Sequence, residues 1–564
     1  MRVTGGLLAV GLVAAAAPSH AAQPTKRHYV YKVVPFQVKN PKDGTVLRGS
    51  VYLPDTRRGK PIGTVLTFSP YWSGTTASPD LEHANKTLDP PFDWFIADGY
   101  AFAAVSVRGT GSSDGCMDFG GVPDQQDAYQ VVEGLAKQPW SNGKIGMFGG
   151  SYEGWTQSMA VATHPPHLAA LVPVSSITDY WNLFTFNGAA LASGPASWPT
   201  LVTDTSNPAC PALATEHAPE QERFTTIDSD RDAYFRERYY LDDFAKSKVP
   251  VFVTQGIREL RVYDSGTGVE GDGHILQIEN LWQRLPKGNR QMLIGDWSHG
   301  YPAPLGMSPR QADAMFKSML SSWYANYLGG QPPRSGKFDS VVYQDDQGGW
   351  HTSSSWPPDS RMTRLPLSGD ALLPPGAHAA AGSAEFQSGD NYSMPPEVVR
   401  DPGPDNCGPT QLVYTSAPLS SEVQLAGNWV ADLTVESTLP GGHLVALLFA
   451  VPTVQPRLQA LPTTDLCTTP GVRELGRAIT SLQQWRYTGI GASFPVMTPT
   501  RVPLKSNPFA TVVHAGERLV LVVAAHHSSV MASPFKPLLT VQTGPTGGSA
   551  LVLPVVGGQL RLAR

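Results

Sequence analysis

Residues 149–154 read GGSYEG, set between the apolar run KIGMF at 144–148 and the helical-looking WTQSMAVATH at 155–164. A hydroxyl at such a strand-to-helix junction is either a helix N-cap or a nucleophile exposed at the tip of a tight turn. In the second case the turn presents Oγ of Ser151, and the next backbone N–H, that of Tyr152, can donate to an oxyanion. The strict G-x-S-x-G pattern is not met, because Glu153 stands where the second glycine would be and Gly154 follows one residue later. The flanking sequence has to decide between the two readings.

Outward from this point, short β-branched or apolar runs alternate with helical stretches over residues 28–336. TVLTFS (64–69), AFAAVSV (101–107), KIGMF, LAALVPV (168–174), VPVFVTQ (249–255) and QMLIG (291–295) read as strands. DQQDAYQVVEGLAKQ (124–138) and HILQIENLWQRL (274–285) read as helices between them. The alternation implies a parallel sheet covered on both faces. Residues 180–247 are too long for a bare connection and are expected to form a helical cap over the C-terminal edge of the sheet, where α/β folds bind ligands.

After residue 337 the helical period disappears. QLVYTS, NWVADLTVES, HLVALLFAV, RLVLVVAA and LLTVQTG recur between Pro and Gly punctuation, as in an all-β sandwich or jelly roll over 337–564, with SSSWPPDSR (353–361) at the hinge. The expected fold is thus an α/β sheet with a helical cap insertion, followed by an all-β domain.

The chain has 564 residues, 41% hydrophobic and 16% charged, with a formal net charge of −5. That is the composition of a folded protein of two or three domains. The absence of a long basic run argues against a nucleic-acid partner. At the N-terminus Arg2, GGLLAVGLVAAAA (5–17) and the small residues PSHAA form the pattern of a signal peptide over residues 1–22. Its apolar core falls short of the roughly 20 residues a membrane span needs. No later segment has span length without charge or proline, so a secreted or periplasmic protein is expected. In such a compartment the four cysteines are expected to pair, and domain order favours Cys116–Cys210 and Cys407–Cys467. Their spacing does not resemble a zinc site, and neither metal nor cofactor is expected.

A serine nucleophile needs a base, and this kind of fold supplies the acid and the histidine on loops after later strands. QMLIG runs into DWSHG, which places His299 on such a loop. VPVFVTQ runs into GIRELRVYD, which offers Glu259 near the strand end and Asp264 further out, Glu259 being preferred. Glu153, Trp155 and Asp114 are candidates for the substrate pocket.

GGSYEGW, the upstream DAYQVVEGLAKQPWSNGKIGMF, VRGTGSSDG, WSHG and the later VVYQDDQGGWHTSSSWPP together resemble the family of cocaine esterase, α-amino-acid ester hydrolases and X-Pro dipeptidyl-peptidase. The resemblance implies an α/β-hydrolase fold, Ser151 as nucleophile, His299 as general base and acid, and an oxyanion hole from the Tyr152 N–H. It also implies a tyrosine hydroxyl completing that hole, and SPYWSG makes Tyr71 the matching position. Where the family usually carries an aspartate as third triad member, this chain carries Glu259. Where the amino-acid ester hydrolases have carboxylates for a substrate ammonium, Leu260 and Arg261 follow instead.

The expected function is hydrolysis of a small ester or amide through an acyl-enzyme. X-Pro dipeptidyl aminopeptidase activity is the alternative, and a polymer-binding protein with an inactive hydrolase core is the reading from another class. Other motifs read as structural. HPPH (164–167) fits a helix C-terminus, and His526 and His527 fit packing. Asp228, Asp230 and Asp232 begin a calcium-like loop that Ala233 and Tyr239 break. GTGSSDG (109–115) misses the dinucleotide spacing, and Arg108 suggests instead an anchored loop. Asp296 precedes the histidine by three residues and suits a supporting role.

Overall fold

The computed structural model describes residues 31–55, 62–71, 92–190, 231–257, 272–329, 339–388, 411–452, 472–487, 489–527, 530, 533–545 and 547–563. The first sheet is built from β1 (Tyr31–Lys39), β2 (Val46–Pro54), β3 (Ile62–Ser69), β4 (Ala101–Ser106), β5 (Ser141–Gly150) and β6 (Leu168–Val174). A short hairpin, β7 (Thr185–Phe186) and β8 (Ala189–Ala190), lies outside it. The sheet then continues with β9 (Val251–Gly256), β10 (Arg290–Gly295), β11 (Asp339–Gln344) and β12 (Trp350–Ser353). The strand order is β1-β2-β4-β3-β5-β6-β9-β10-β11-β12. From β4 to β11 all neighbours are parallel, and β1, β2 and β12 close the two ends antiparallel. This is the α/β-hydrolase arrangement.

Period-two burial explains the layering. Ala101, Ala103 and Val105 of β4 face one core, whereas Phe102 and Ala104 face another. The first core is closed by α2 (Val122–Ala136), α3 (Tyr152–Thr163) and α7 (Asp272–Arg284), through Val131, Leu135, Met159, Ile278 and Leu281. The second is closed by α1 (Phe92–Ala97) and α8 (Pro309–Tyr327), through Phe95, Phe316, Leu320, Trp323 and Tyr324. Gly146 admits α8 closely: a Cβ there would come 2.7 Å from the Tyr324 ring, whose hydroxyl donates to the Met147 carbonyl.

The cap contributes α4 (Tyr180–Phe184), the β7–β8 hairpin, α5 (Ala233–Glu237) and α6 (Leu241–Lys246). Asp179 caps α4, accepting from the Trp181 and Asn182 amides, and also receives Arg231 across 2.5 Å. Arg238, 2% exposed, donates to the Phe119 and Asp118 carbonyls and so ties the cap to the loop before α2.

Among the described residues the second sheet has 13 strands, folded into two layers around a core of Leu425, Leu433, Leu551 and Val555 on one side and Leu444, Leu448, Leu521 and Val523 on the other. The strand Ser360–Ser368 pairs with Ala550–Val556 and then with Ala371–Leu372, linking the layers. His443–Val451 is buried along its whole length because both of its faces are covered. Leu444, Ala446 and Leu448 enter the sandwich core, whereas Val445, Leu447 and Phe449 pack on Phe186 and Ala189 of the cap hairpin.

The expected boundary at residues 336 and 337 lies outside the described residues. VVYQDDQGGWHTSSSWPP (341–358) reads as the entrance of the second domain, yet β11 and β12 are hydrogen-bonded into the first sheet. The sandwich grips their turn instead: Arg473 and Thr511 both bond the Asp346 carboxylate, at 2.5 and 2.7 Å.

Candidate active site

Ser151 sits between β5 and α3 with φ +58° and ψ −121°, a left-handed conformation that a serine adopts only when its surroundings enforce it. Its N–H donates to the Val174 carbonyl at the end of β6, and its carbonyl accepts from Trp155 N–H, the first turn of α3. Gly154 explains the shifted glycine of the motif: a Cβ there would lie 2.9 Å from Ser176 Cβ, so the glycine lets α3 start against the β6 exit. The serine hydroxyl makes no side-chain N-cap bond. The N-cap reading therefore gives way to a strained elbow.

Tyr71 follows β3 and reaches the elbow from the neighbouring strand. Its hydroxyl accepts from the Tyr152 N–H at 3.3 Å and shares a hydrogen bond with the Ser151 side chain. Burial pushes the phenol up to about 12, with the Ser151 contact working against that rise. A neutral O–H and a backbone N–H thus stand together beside Oγ.

Ser175, the residue after β6, is completely buried with φ +43°. Its N–H donates to the Thr254 carbonyl in β9, and its Oγ accepts from Gly300 N–H at 3.5 Å. The Ser151 amide and the loop carrying His299 are therefore held by consecutive residues, Val174 and Ser175. Gly256, at the end of β9, allows the histidine loop to fold back over it: a Cβ there would lie 2.2 Å from the Trp297 carbonyl oxygen. His299 is half-buried at this same edge.

Three pocket candidates are placed elsewhere. Glu153 is 1% exposed and turns beneath the elbow, where its Oε2 accepts from Gly150 N–H at 3.2 Å. Gly149 leaves room for it, since a Cβ there would lie 2.4 Å from Glu153 Cβ. Trp155 is fully buried and stacks on Tyr180, because the first turn of α3 faces the core. Asp114 lies on an exposed loop and pairs with Arg48 at 2.6 Å. Glu259 and Asp264 fall outside the described residues. Cys116 is disulfide-bonded, while Cys210, Cys407 and Cys467 lie outside the described residues, as do Asp228 and Asp230.

The remaining motifs are structural. His164 ends α3 in a left-handed conformation, and His167 Nδ1 contacts the Glu133 carboxylate at 2.8 Å. Arg108 anchors its loop to α2 through Asp127, at 2.6 Å. Asp296 is buried behind the histidine loop, and burial draws the pKa values of His526 and His527 down inside the sandwich. Sequence reasoning missed Ser175 and Gly256, because neither belongs to a local pattern. Among the described residues no group of three or more His, Cys, Asp or Glu could hold a metal ion, and no helix is long and apolar enough to cross a membrane.

The chain is similar to known proteins over most of its length. Residues 43–301 match the X-Pro dipeptidyl-peptidase (S15 family) model, and residues 337–543 match the X-Pro dipeptidyl-peptidase C-terminal non-catalytic domain. A Streptomyces avermitilis protein provisionally named Xaa-Pro dipeptidyl-peptidase is 25% identical over 421 residues, 70% of this chain and 59% of its own length. The solved structure of an aminopeptidase from a marine sediment Thaumarchaeota archaeon superposes with TM-score 0.71 at 18% identity, covering 96% of this chain and 99% of that one. A CocE/NonD family hydrolase from Staphylococcus aureus gives 0.69 at 17%, covering 93% and 94%. At such identities the structural likeness concerns the fold. Both domain models belong to one family and together take in most of the sequence, and the serine elbow lies inside the first, so the chain belongs to the X-Pro dipeptidyl-peptidase (S15) family of serine hydrolases.

Proposed function

We propose that the protein is an exported hydrolase that cleaves an ester or amide bond through an acyl-enzyme. Ser151 Oγ attacks the carbonyl carbon while His299 takes its proton. The oxyanion is received by the Tyr152 N–H and the Tyr71 O–H. His299 then returns the proton to the leaving group, and water repeats the sequence in reverse to release the acid. Glu259 holds the imidazole, with Asp264 as the alternative. The observation that carries the reading is the convergence of Tyr71 and the Tyr152 amide on Ser151 at a strained elbow. The apolar stretch at 5–17 and the disulfide at Cys116 support export.

Replacing Ser151 with Ala is expected to abolish both hydrolysis and labelling by a fluorophosphonate probe, with circular dichroism unchanged. Labelling that persists at another residue refutes the assignment.

A second reading, release of X-Pro dipeptides, is favoured by the two family matches. It needs a carboxylate for the substrate amine, and Glu153 is engaged under the elbow, which favours acyl substrates without a free amine. Turnover of a simple acyl ester against an Ala-Pro anilide separates the two, the ester reading requiring faster ester cleavage that N-acetylation of the acyl group leaves unchanged.

A further inference from the structure

A cavity of about 380 Å3 lies where the cap, α7 and the sandwich meet. Tyr71, Ser151, Tyr152 and His299 are not among its lining residues. Its volume is within the range of small-molecule sites, roughly 300–1,000 Å3.

The chemistry of its wall is specific. Four lining carboxamides spend their NH2 groups on the protein: Asn182 on Asp179 Oδ2 at 2.8 Å, Asn187 on the Gln484 carbonyl at 3.2 Å, Gln283 on Glu279 Oε1 at 2.8 Å and Asn428 on the Ser506 carbonyl at 2.5 Å. Asn187 also donates to the Thr480 hydroxyl at 2.6 Å, which gives its own hydrogen to the Ser481 carbonyl; every other acceptor is a carboxylate or carbonyl oxygen, so the amide nitrogens must face them and the orientation is fixed. The four side-chain carbonyl oxygens have no donor among the described residues. Asn507, 1% exposed and also in the wall, has neither side-chain amide atom hydrogen-bonded. A buried carboxamide in that state is costly unless a partner arrives.

The charges of the wall are already matched. Arg231 pairs with Asp179 at 2.5 Å, Lys505 with Glu279 at 2.9 Å, and Arg284 with Asp242 at 2.5 Å. Arg231 Nε–H, buried and without a partner among the described residues, adds one donor to this wall of acceptors. Arg231 also lies 4.9 Å over both the Trp181 and Tyr239 rings, which fixes the wall on the cap side. Tyr487, 40% exposed, offers a ring on the sandwich side. The occupant must donate several hydrogen bonds, carry no charge and present an apolar face. A pyranose ring does all three.

We propose that this interdomain cavity binds a small neutral saccharide, held by the carboxamide oxygens and Tyr487. The site joins elements of both domains, so occupancy stabilises their packing.

Glucose, N-acetylglucosamine, maltose and cellobiose are titrated calorimetrically into the full-chain Ser151→Ala protein, which separates binding from hydrolysis. At least one is expected to bind saturably and to raise Tm. Its affinity is expected to fall about tenfold or more in Gln283→Ala or in Tyr487→Ala, both changes at exposed positions. Circular dichroism melting without sugar checks that the variants fold, and Asn280→Ala on the same helix replaces either that does not. Absence of binding by all four sugars overturns the proposal. So does binding that the folded variants leave unchanged, or tighter binding of choline or acetamide than of any sugar. Loss of the nucleophile assignment leaves these outcomes untouched.

Discussion

The Tyr152 amide donates to the Tyr71 hydroxyl across 3.3 Å, and Ser151 shares that hydroxyl. Two hydrogen-bonding groups from different strands therefore stand beside Ser151, where the proposed mechanism puts the oxygen of a serine adduct. Tyr71→Phe removes one of them and is expected to lower kcat by about 10²–10³ with a much smaller change in KM. Burial moves the Tyr71 phenol from its ordinary 10.0 to about 12, so it keeps its proton through the usual tyrosine range. The kcat–pH profile is therefore expected to show no loss near pH 10.0 traceable to this group. A break there that vanishes in Tyr71→Phe would contradict the assignment.

Gly256 and the Trp297 carbonyl form a second relationship of this kind. Gly256→Ala places a methyl group 2.2 Å from that oxygen and 2.5 Å from the Ser298 carbonyl, both backbone atoms of the histidine loop. The loop must move, and displacement of a reacting group by about 1 Å costs roughly 10²-fold in rate. Turnover is expected to fall by about that factor while fluorophosphonate labelling slows in parallel. Stability should drop by about 1–3 kcal/mol, read from the urea midpoint.

Strain at the elbow predicts a trade between activity and stability. Ser151 at φ +58° stores about 1–3 kcal/mol that alanine retains and glycine releases. Glycine also gives the unfolded chain about 0.5–1 kcal/mol more entropy. Ser151→Gly is therefore expected to be more stable than Ser151→Ala by about 1 kcal/mol in chemical denaturation, both being inactive.

Asp124 gives a pH dependence unrelated to catalysis. Burial pushes its carboxyl from 3.8 up to about 7; Arg108 opposes the shift, and Asp118 and Asp127 add to it. Between those values the folded protein holds a proton that the unfolded chain has released. The stability from this group is present in full below pH 3.8 and lost as pH rises through about 7. Asp124→Asn cannot ionise, so its stability relative to the parent should rise from pH 4 to pH 8. Urea midpoints at about four pH values check the slope.

The strands most legible in the sequence are the central parallel ones. LAALVPV is β6 residue for residue, because a strand buried on both faces reads as an uninterrupted apolar run. The sandwich strands QLVYTS and HLVALLFAV were equally plain, and in the second the uninterrupted apolar run reflects a second core against the cap. β11 and β12 read as the entrance of the following domain, since nothing local reveals which sheet an edge strand joins. That choice is made by the parallel ladder to β10 and by Arg473 reaching back to Asp346.

By itself, then, the chain's order of residues determined an α/β layer with a serine at a strand-to-helix turn, a later histidine after the strand QMLIG, and a β sandwich behind them. Periodicity and turn chemistry act over a few residues and are written locally. Only the tertiary structure decided that Glu153 bonds the elbow backbone, that Trp155 is core, that Ser175 and Gly256 hold the histidine loop, and that six carboxamides line one interdomain cavity. Such roles depend on which atoms distant segments bring within a few ångströms of each other, and no stretch of sequence carries that distance.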